Sequence, residues 1–170
     1  MAEVASYLVS LGHRRIGYVS GPPGFLSARE RREGFTDALR DHGLELADDR
    51  VVTGGYTYES GFAGGEELLA RTPRPTAIFA SNDEMAAGVY RAAHNQGLAI
   101  PRELSVVGYD DGPIAARLMP PLTTVRQPMD ELGRAAVQLA MASRERAAGT
   151  PRRERLTTQL IVRESTAPPA

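Results

Sequence analysis

Residues 76–89 read TAIFASNDEMAAGV: Thr76 to Ala80 is a short apolar run, Ser81, Asn82 and Asp83 are small and polar, and a helical pattern follows. A run this short and this apolar suits a strand covered on both faces, as strands of parallel sheets are. The polar triplet is partly explained by capping. Ser81 followed by Glu84 fits the box in which a hydroxyl and a carboxylate satisfy the first free amides of a helix. Asn82 has no such local reason. A second polar group at the end of a strand makes sense where strand ends line a crevice that holds a ligand.

The same alternation extends in both directions. Upstream, Val4, Tyr7, Leu8 and Leu11 share a helical face, and Gly12 follows where a left-handed residue is wanted. Ile16 to Ser20 reads as a strand. A helix is expected from Ser27, as its N-cap, to His42, with Ala28, Phe35, Ala38 and Leu39 on one face and Gly43 as its stop. Val51 to Thr53 is strand-like and 60–71 helix-like. Downstream, a helix over 84–96 is stopped by Gly97, and Leu104 to Tyr109 is a strand. The Pro-rich segment MPPLTTVRQP then covers 119–128. A long helix from about Pro128 carries Leu132, Ala136, Leu139 and Ser143 as one stripe. After Gly149-Thr150-Pro151, Leu156 to Val162 alternates like a final strand, and STAPPA reads as a frayed tail. Short apolar strands alternating with amphipathic helices predict the α/β class, a parallel sheet sandwiched by helices.

The composition bounds what this fold does. With 42% hydrophobic and 24% charged residues over 170 positions, the chain is long enough for one sizeable core or two small lobes. Its formal charge of -1 supplies no basic field for gripping nucleic acid. There are no cysteines, hence no disulfide and no thiolate metal site. No apolar run approaches membrane-spanning length, and MAEVASYLVS lacks the basic start and apolar core of a secretion signal, so the expectation is a cytoplasmic protein with no membrane partner.

Four strands are each followed by a small polar or aromatic cluster: Gly21 to Ser27, Gly54-Gly55-Tyr56, Ser81-Asn82-Asp83 and Tyr109-Asp110-Asp111. In an open parallel sheet these ends gather along one edge. Asp110 and Asp111 suit a turn before Gly112-Pro113 as well as a ligand. A catalytic pair is disfavoured, because no histidine or third carboxylate at recognisable spacing completes a site. His13, His42 and His94 lie far apart in the sequence and suit structural roles. Arg31, near the start of the helix after the first strand, can aim its planar fork at a ligand oxygen. Tyr56 can stack on the apolar face of a sugar or base. No phosphate loop, GxSxG elbow or HExxH motif is present.

Taken in order, LGHRRIGYVSGP, SARERREGF, PTAIFASNDEMAAGV, IPRELSVVGYDD, PPLTTVRQP and the tail LIVRESTAPP resemble the effector-binding domain of the LacI/GalR family of bacterial transcriptional regulators. The resemblance implies a type I periplasmic-binding-protein-like fold, with a small molecule held between two α/β lobes. The ligand is a sugar most often, sometimes a purine or nucleoside. It also implies a homodimer that acts on operator DNA through a helix-turn-helix head. Residue by residue, Ser27 and Arg31 match polar ligand contacts, and Tyr56 an aromatic that packs on the ligand. Asn82 and Asp110 match residues that hydrogen-bond ligand hydroxyls, Gln127 lies in the crossover, and Phe25 occupies a variable position. No cofactor, metal or catalytic residue is implied. A soluble binding protein of a transport system is the alternative with the same architecture.

Against the family pattern, the chain looks N-terminally truncated, with no DNA-binding head. The division expected is a nearly complete second lobe at about 22–125, with 1–21 and about 126–170 as the remnant of a partial first lobe and its crossovers. Those two remnants are expected to lack cover and to be mobile or to associate between chains.

Overall fold

The computed structural model describes residues 1–144 and 155–170. In chain order the elements are α1 (Ala2–Ser10), β1 (Ile16–Ser20), α2 (Leu26–Asp41), β2 (Val51–Thr53), α3 (Tyr58–Leu69), β3 (Ala77–Ala80), α4 (Asp83–Asn95), β4 (Ser105–Val107), β5 (Thr124–Arg126), α5 (Met129–Arg144) and β6 (Gln159–Ile161). The first four strands form one parallel sheet in the order β2-β1-β3-β4. This is the α/β sandwich predicted from the alternation.

Strand alternation sorts the sheet's side chains onto two faces. Ile16, Tyr18, Ala77, Phe79 and Val107 pack with α1 and α2, through Val4, Leu8, Phe35 and Leu39. At the centre of this core Phe79 lies 5.2 Å from Tyr18 and 4.8 Å from Phe35, ring centre to ring centre. Val19, Ile78, Ala80 and Val106 face the other way, against Leu68, Met85, Val89 and Ala92 of α3 and α4. Those two helices meet backbone to backbone. A Cβ added at Gly88 would lie 2.2 Å from the Tyr58 carbonyl oxygen, and one at Gly61 would lie 2.2 Å from that of Met85.

Several expectations are corrected. Residues 1–21 are not an uncovered remnant of another lobe: β1 sits between β2 and β3, and α1 buries Val4, Ala5 and Leu8 completely. The STAPPA tail is not frayed. Ser165 is fully buried, its Oγ donating to the Val106 carbonyl at 2.6 Å and accepting from the Thr123 amide at 2.8 Å. The Ala167 carbonyl is bound by His13 Nε2 at 2.9 Å, which gives that buried histidine a structural role. The Pro-rich segment contains a strand, β5, paired antiparallel with β6, because Thr123, Thr124 and Val125 are β-branched and bury beside the end of β4. Helix α5 exposes Leu132, Val137 and Met141. The turn expected at Gly149-Thr150-Pro151 lies outside the described residues.

Candidate functional site

The carboxyl ends of β1 to β4 all open on one edge, and the sequence-predicted residues lie there. Helix α2 begins at Leu26 with Phe25 in the N-cap position, so Ser27 is not the cap; it is exposed in the first turn, one turn ahead of Arg31. Arg31 reaches back over the sheet edge. Its Nη1 donates to the carbonyl of Ser81, and its guanidinium carbon sits 3.5 Å above the ring centre of Tyr109.

At the head of α4 the capping residue is Asn82, not Ser81. Asn82 Oδ1 accepts from the Met85 amide at 2.9 Å, while the Ser81 hydroxyl is bonded to Tyr18 OH at 2.7 Å. The neighbouring Nδ2 of Asn82 donates to the Tyr56 carbonyl at 3.0 Å. Asn82 therefore has a local reason after all, since it caps one helix and ties down the loop before another. One amide hydrogen and one lone pair remain for a ligand.

Tyr56 is held in the left-handed region at φ 63°. Its ring lies over Gly21 with Phe25 edge-on at 6.0 Å, and its buried hydroxyl has no hydrogen-bond partner among the described residues. Asp110 and Asp111 are also left-handed, at φ 113° and 56°. The three non-glycine residues of positive φ among the described residues thus all lie at this edge, where backbone strain is characteristically tolerated for function.

Asp110 accepts from Gln127 Nε2 through Oδ1 at 2.7 Å, leaving Oδ2 to accept from a guest. Burial pushes its carboxyl above the usual range, against the pull of the Gln127 hydrogen bond and the Arg31 charge. Asp111 is fully ion-paired: Arg163 and Arg126 donate to its two oxygens, each at 2.6 Å. Burial raises that carboxyl, but the two guanidinium groups outweigh it and hold it below the usual range.

The structure thus joins Tyr56, Asn82, Arg31, Asp110 and Gln127 through a chain of contacts running by way of Ser81 and Tyr109, with Ser27 exposed on α2. A cleft of about 580 Å³ is lined by Asp110, Gln127, Arg126 and Arg134 among others, and a second of about 410 Å³ by Asp83, Asp110 and Gly112. Arg31, Tyr56 and Asn82 line neither of these two clefts. The donor set is oxygen-rich but lacks the convergent carboxylates and imidazoles of a metal centre; among the described residues no group of three such ligands gathers.

Sequence reasoning missed Asp83 and the Asp111–Arg163 pair. Asp83 is buried, takes the Thr124 hydroxyl at 2.6 Å and the Gly112 amide at 2.7 Å, and is pushed up to about 6 by burial. Nothing in SND alone distinguishes this from a capping acid. Arg163 lies between the stretch read as a final strand and the STAPPA tail, where no role is expected.

This fold and crevice define a class, the periplasmic-binding-protein-like domains. Residues 5–166 match the family model described as periplasmic binding protein-like domain. The ribose operon repressor of Escherichia coli (strain K12) is 42% identical over 133 residues, covering 78% of this chain and 40% of the repressor. The structure described as a transcriptional regulator CelR-cellobiose complex superposes with a TM-score of 0.89 at 37% identity, over 95% of this chain and 49% of that one. A dimeric Lac repressor superposes with a TM-score of 0.89 at 32% identity, over 99% and 61%. The chain belongs to the periplasmic binding protein-like domain family, as an effector-binding domain of the kind found in LacI-family transcriptional regulators. It spans less than half the length of the ribose operon repressor. These relatives are regulators, not transport proteins. Among the described residues no helix is long and apolar enough to cross a membrane.

Proposed function

We propose that this crevice binds a small sugar, and that binding is the signal a LacI-type regulator reads. The observation that carries it is the contact chain from Arg31 through Tyr109 to Asp110 and Gln127 at the carboxyl ends of the strands. A sugar presents hydroxyls that donate and accept together. Asp110 Oδ2 accepts, Arg31 donates, and Asn82 and Gln127 do both, while Tyr56 offers a ring face. Ser27 is assigned a peripheral contact. Two relatives support the sugar class by name, one called a ribose operon repressor and one solved with cellobiose. The ligand's other contacts come from a facing lobe. We read β5, α5 and β6 as crossovers and part of that lobe, and the four-stranded sheet with α1 to α4 as the lobe holding the residues named.

For the whole protein, the reading is a cytoplasmic homodimer that contacts operator DNA through a segment other than these residues, with no catalytic step. A buried polar group left without its partner costs about 1–3 kcal/mol, a factor of roughly five to a hundred in affinity. Calorimetry with ribose, cellobiose, adenosine and hypoxanthine tests the class. Binding of a sugar that weakens about tenfold or more in Asp110→Asn is expected. Binding of adenosine or hypoxanthine but of neither sugar, or sugar binding indifferent to Asp110→Asn, overturns it.

A further inference from the structure

The SND and VVGYDD stretches meet in space at one carboxylate. Gly112 N–H donates to Asp83 Oδ2 at 2.7 Å, and Thr124 Oγ1 donates to Asp83 Oδ1 at 2.6 Å. The same Thr124 oxygen receives the Asp111 amide at 3.4 Å. One buried side chain thus holds, directly and through a hydroxyl, the two consecutive amides that follow Asp110. These are the residues on which the left-handed turn at Asp110 and Asp111 depends. Room for the carboxylate is made by Gly108, where an added Cβ would lie 2.3 Å from Asp83 Oδ1.

We propose that Asp83 is a positioning residue: it does not touch the ligand but fixes the Asp110–Gly112 turn so that Asp110 Oδ2 is presented to the crevice. This deepens the sugar-binding reading and rests on it. A turn with φ of 113° and 56° at two aspartates is unfavourable for the isolated chain and persists only where surrounding bonds over-determine it. Further restraints act on the side chains of the turn and on the Asp110 amide. Gln127 holds the Asp110 carboxylate, Arg126 and Arg163 hold that of Asp111, and the Asp110 amide donates to Val125 at 2.8 Å. On the far side Asp83 binds the Gly112 amide directly and anchors the Thr124 hydroxyl that receives the Asp111 amide, while the Gly112 carbonyl accepts from the Ala115 amide. Its partner residue Asn82 does the corresponding work for the opposite loop by binding the Tyr56 carbonyl. Two successive side chains at the head of α4 therefore brace the two loops that carry left-handed site residues.

The charged groups around Asp83 are Asp110 and Asp111 on the turn, whose charges push its carboxyl upward, Glu84 beside it on α4, and Arg117 across the smaller cleft. Burial is the largest influence and places the Asp83 carboxyl at about 6. The Gly112 amide therefore serves as a reporter that does not depend on ligand. In wild-type protein its nitrogen resonance should shift with a midpoint near pH 6, and its exchange should be slow.

Three variants test the role: Asp83→Asn, Thr124→Val with Thr124→Ser as the rescue, and Gly108→Ala, which displaces the carboxylate without altering it. None of these residues is assigned to touch ligand. In Asp83→Asn the pH-dependent shift of Gly112 should vanish, its exchange should quicken about tenfold or more, and affinity for ribose or cellobiose should fall about tenfold. Thr124→Val and Gly108→Ala should weaken sugar binding in the same direction, and Thr124→Ser should restore it, with circular dichroism confirming a folded chain in each case. A Gly112 resonance that behaves as wild type in Asp83→Asn overturns the proposal, as does a disturbed Gly112 with unchanged sugar affinity. If wild-type protein binds neither sugar, the functional reading fails instead, and Gly112 still decides whether Asp83 sets the turn.

Discussion

Arg31 lies over Tyr109, its guanidinium carbon 3.5 Å from the ring centre, and the same side chain donates to the Ser81 carbonyl. One arginine of α2 thus touches the loop after β3 and the loop after β4. Its charge also bears on Asp110, where it opposes the effect of burial. A planar cation does this better than a point charge, because stacking and forked donation are available together.

Arg31→Lys should accordingly be far from conservative. The stack is lost and the reach to Ser81 shortened, so sugar affinity should fall about ten- to a hundredfold, with a stability loss of about 1–2 kcal/mol. Calorimetry and urea denaturation measure the two separately. Sugar affinity equal to wild type would remove Arg31 from the site.

Two tyrosines at the edge should respond in opposite ways to loss of the hydroxyl. Tyr18→Phe deletes a buried bond of 2.7 Å to Ser81 and should destabilise by about 1–1.5 kcal/mol. Tyr56→Phe deletes a buried hydroxyl that has no partner among the described residues and should be neutral or stabilising. Equilibrium denaturation of both variants, side by side, checks the contrast.

Stability should carry the signature of Asp83 between pH 4 and pH 6. The folded protein holds a proton there that the unfolded chain has released, so this group's contribution falls as pH rises through the window and its penalty is complete above it. A carboxyl moved from 3.8 to about 6 corresponds to about 3 kcal/mol. The deficit of Asp83→Asn relative to wild type should therefore shrink by up to about 3 kcal/mol from pH 4 to pH 7. Urea midpoints across that range measure it, and a constant deficit would contradict the buried ionised state.

Ser165→Ala should be unusually costly for a residue so near the end of the chain. It leaves the Thr123 amide and the Val106 carbonyl without their partner in a fully buried place, a loss of about 2–4 kcal/mol. Thermal unfolding of the variant reads this directly, and a change below about 0.5 kcal/mol would mean the tail is not bound as described.

Most of the fold is legible in the sequence because alternating strands and amphipathic helices leave a periodic trace. Helix stops at Gly12, Gly43 and Gly97 follow too, all three adopting positive φ. The stretch 124–126 escapes because three prolines nearby suggest a loop, while the evidence for a strand lies in its burial against β4 and its pairing with Gln159–Ile161, both long-range. At the site, the types of residue were readable and their division of labour was not. Asn82 is spent largely on Met85 and Tyr56, and Asp83, which looks like an ordinary first-turn acid, is shared with Thr124 and Gly112, which lie some 30 to 40 positions away. Such pairings have no local signature. The tail is misjudged for the same reason, since serine and threonine near a terminus look solvent-bound until their buried partners are known.

The bare main-chain crossing of Gly61 and Gly88 limits how α3 and α4 can slide past one another. Helices separated by long side chains can glide by letting those chains change rotamer. Here no such lubricant lies between the two backbones, and the segments leading into them carry Tyr56 and Asn82. A pull exerted on either residue should therefore reach both helices, and the four-stranded edge where a guest would sit should tilt as one piece.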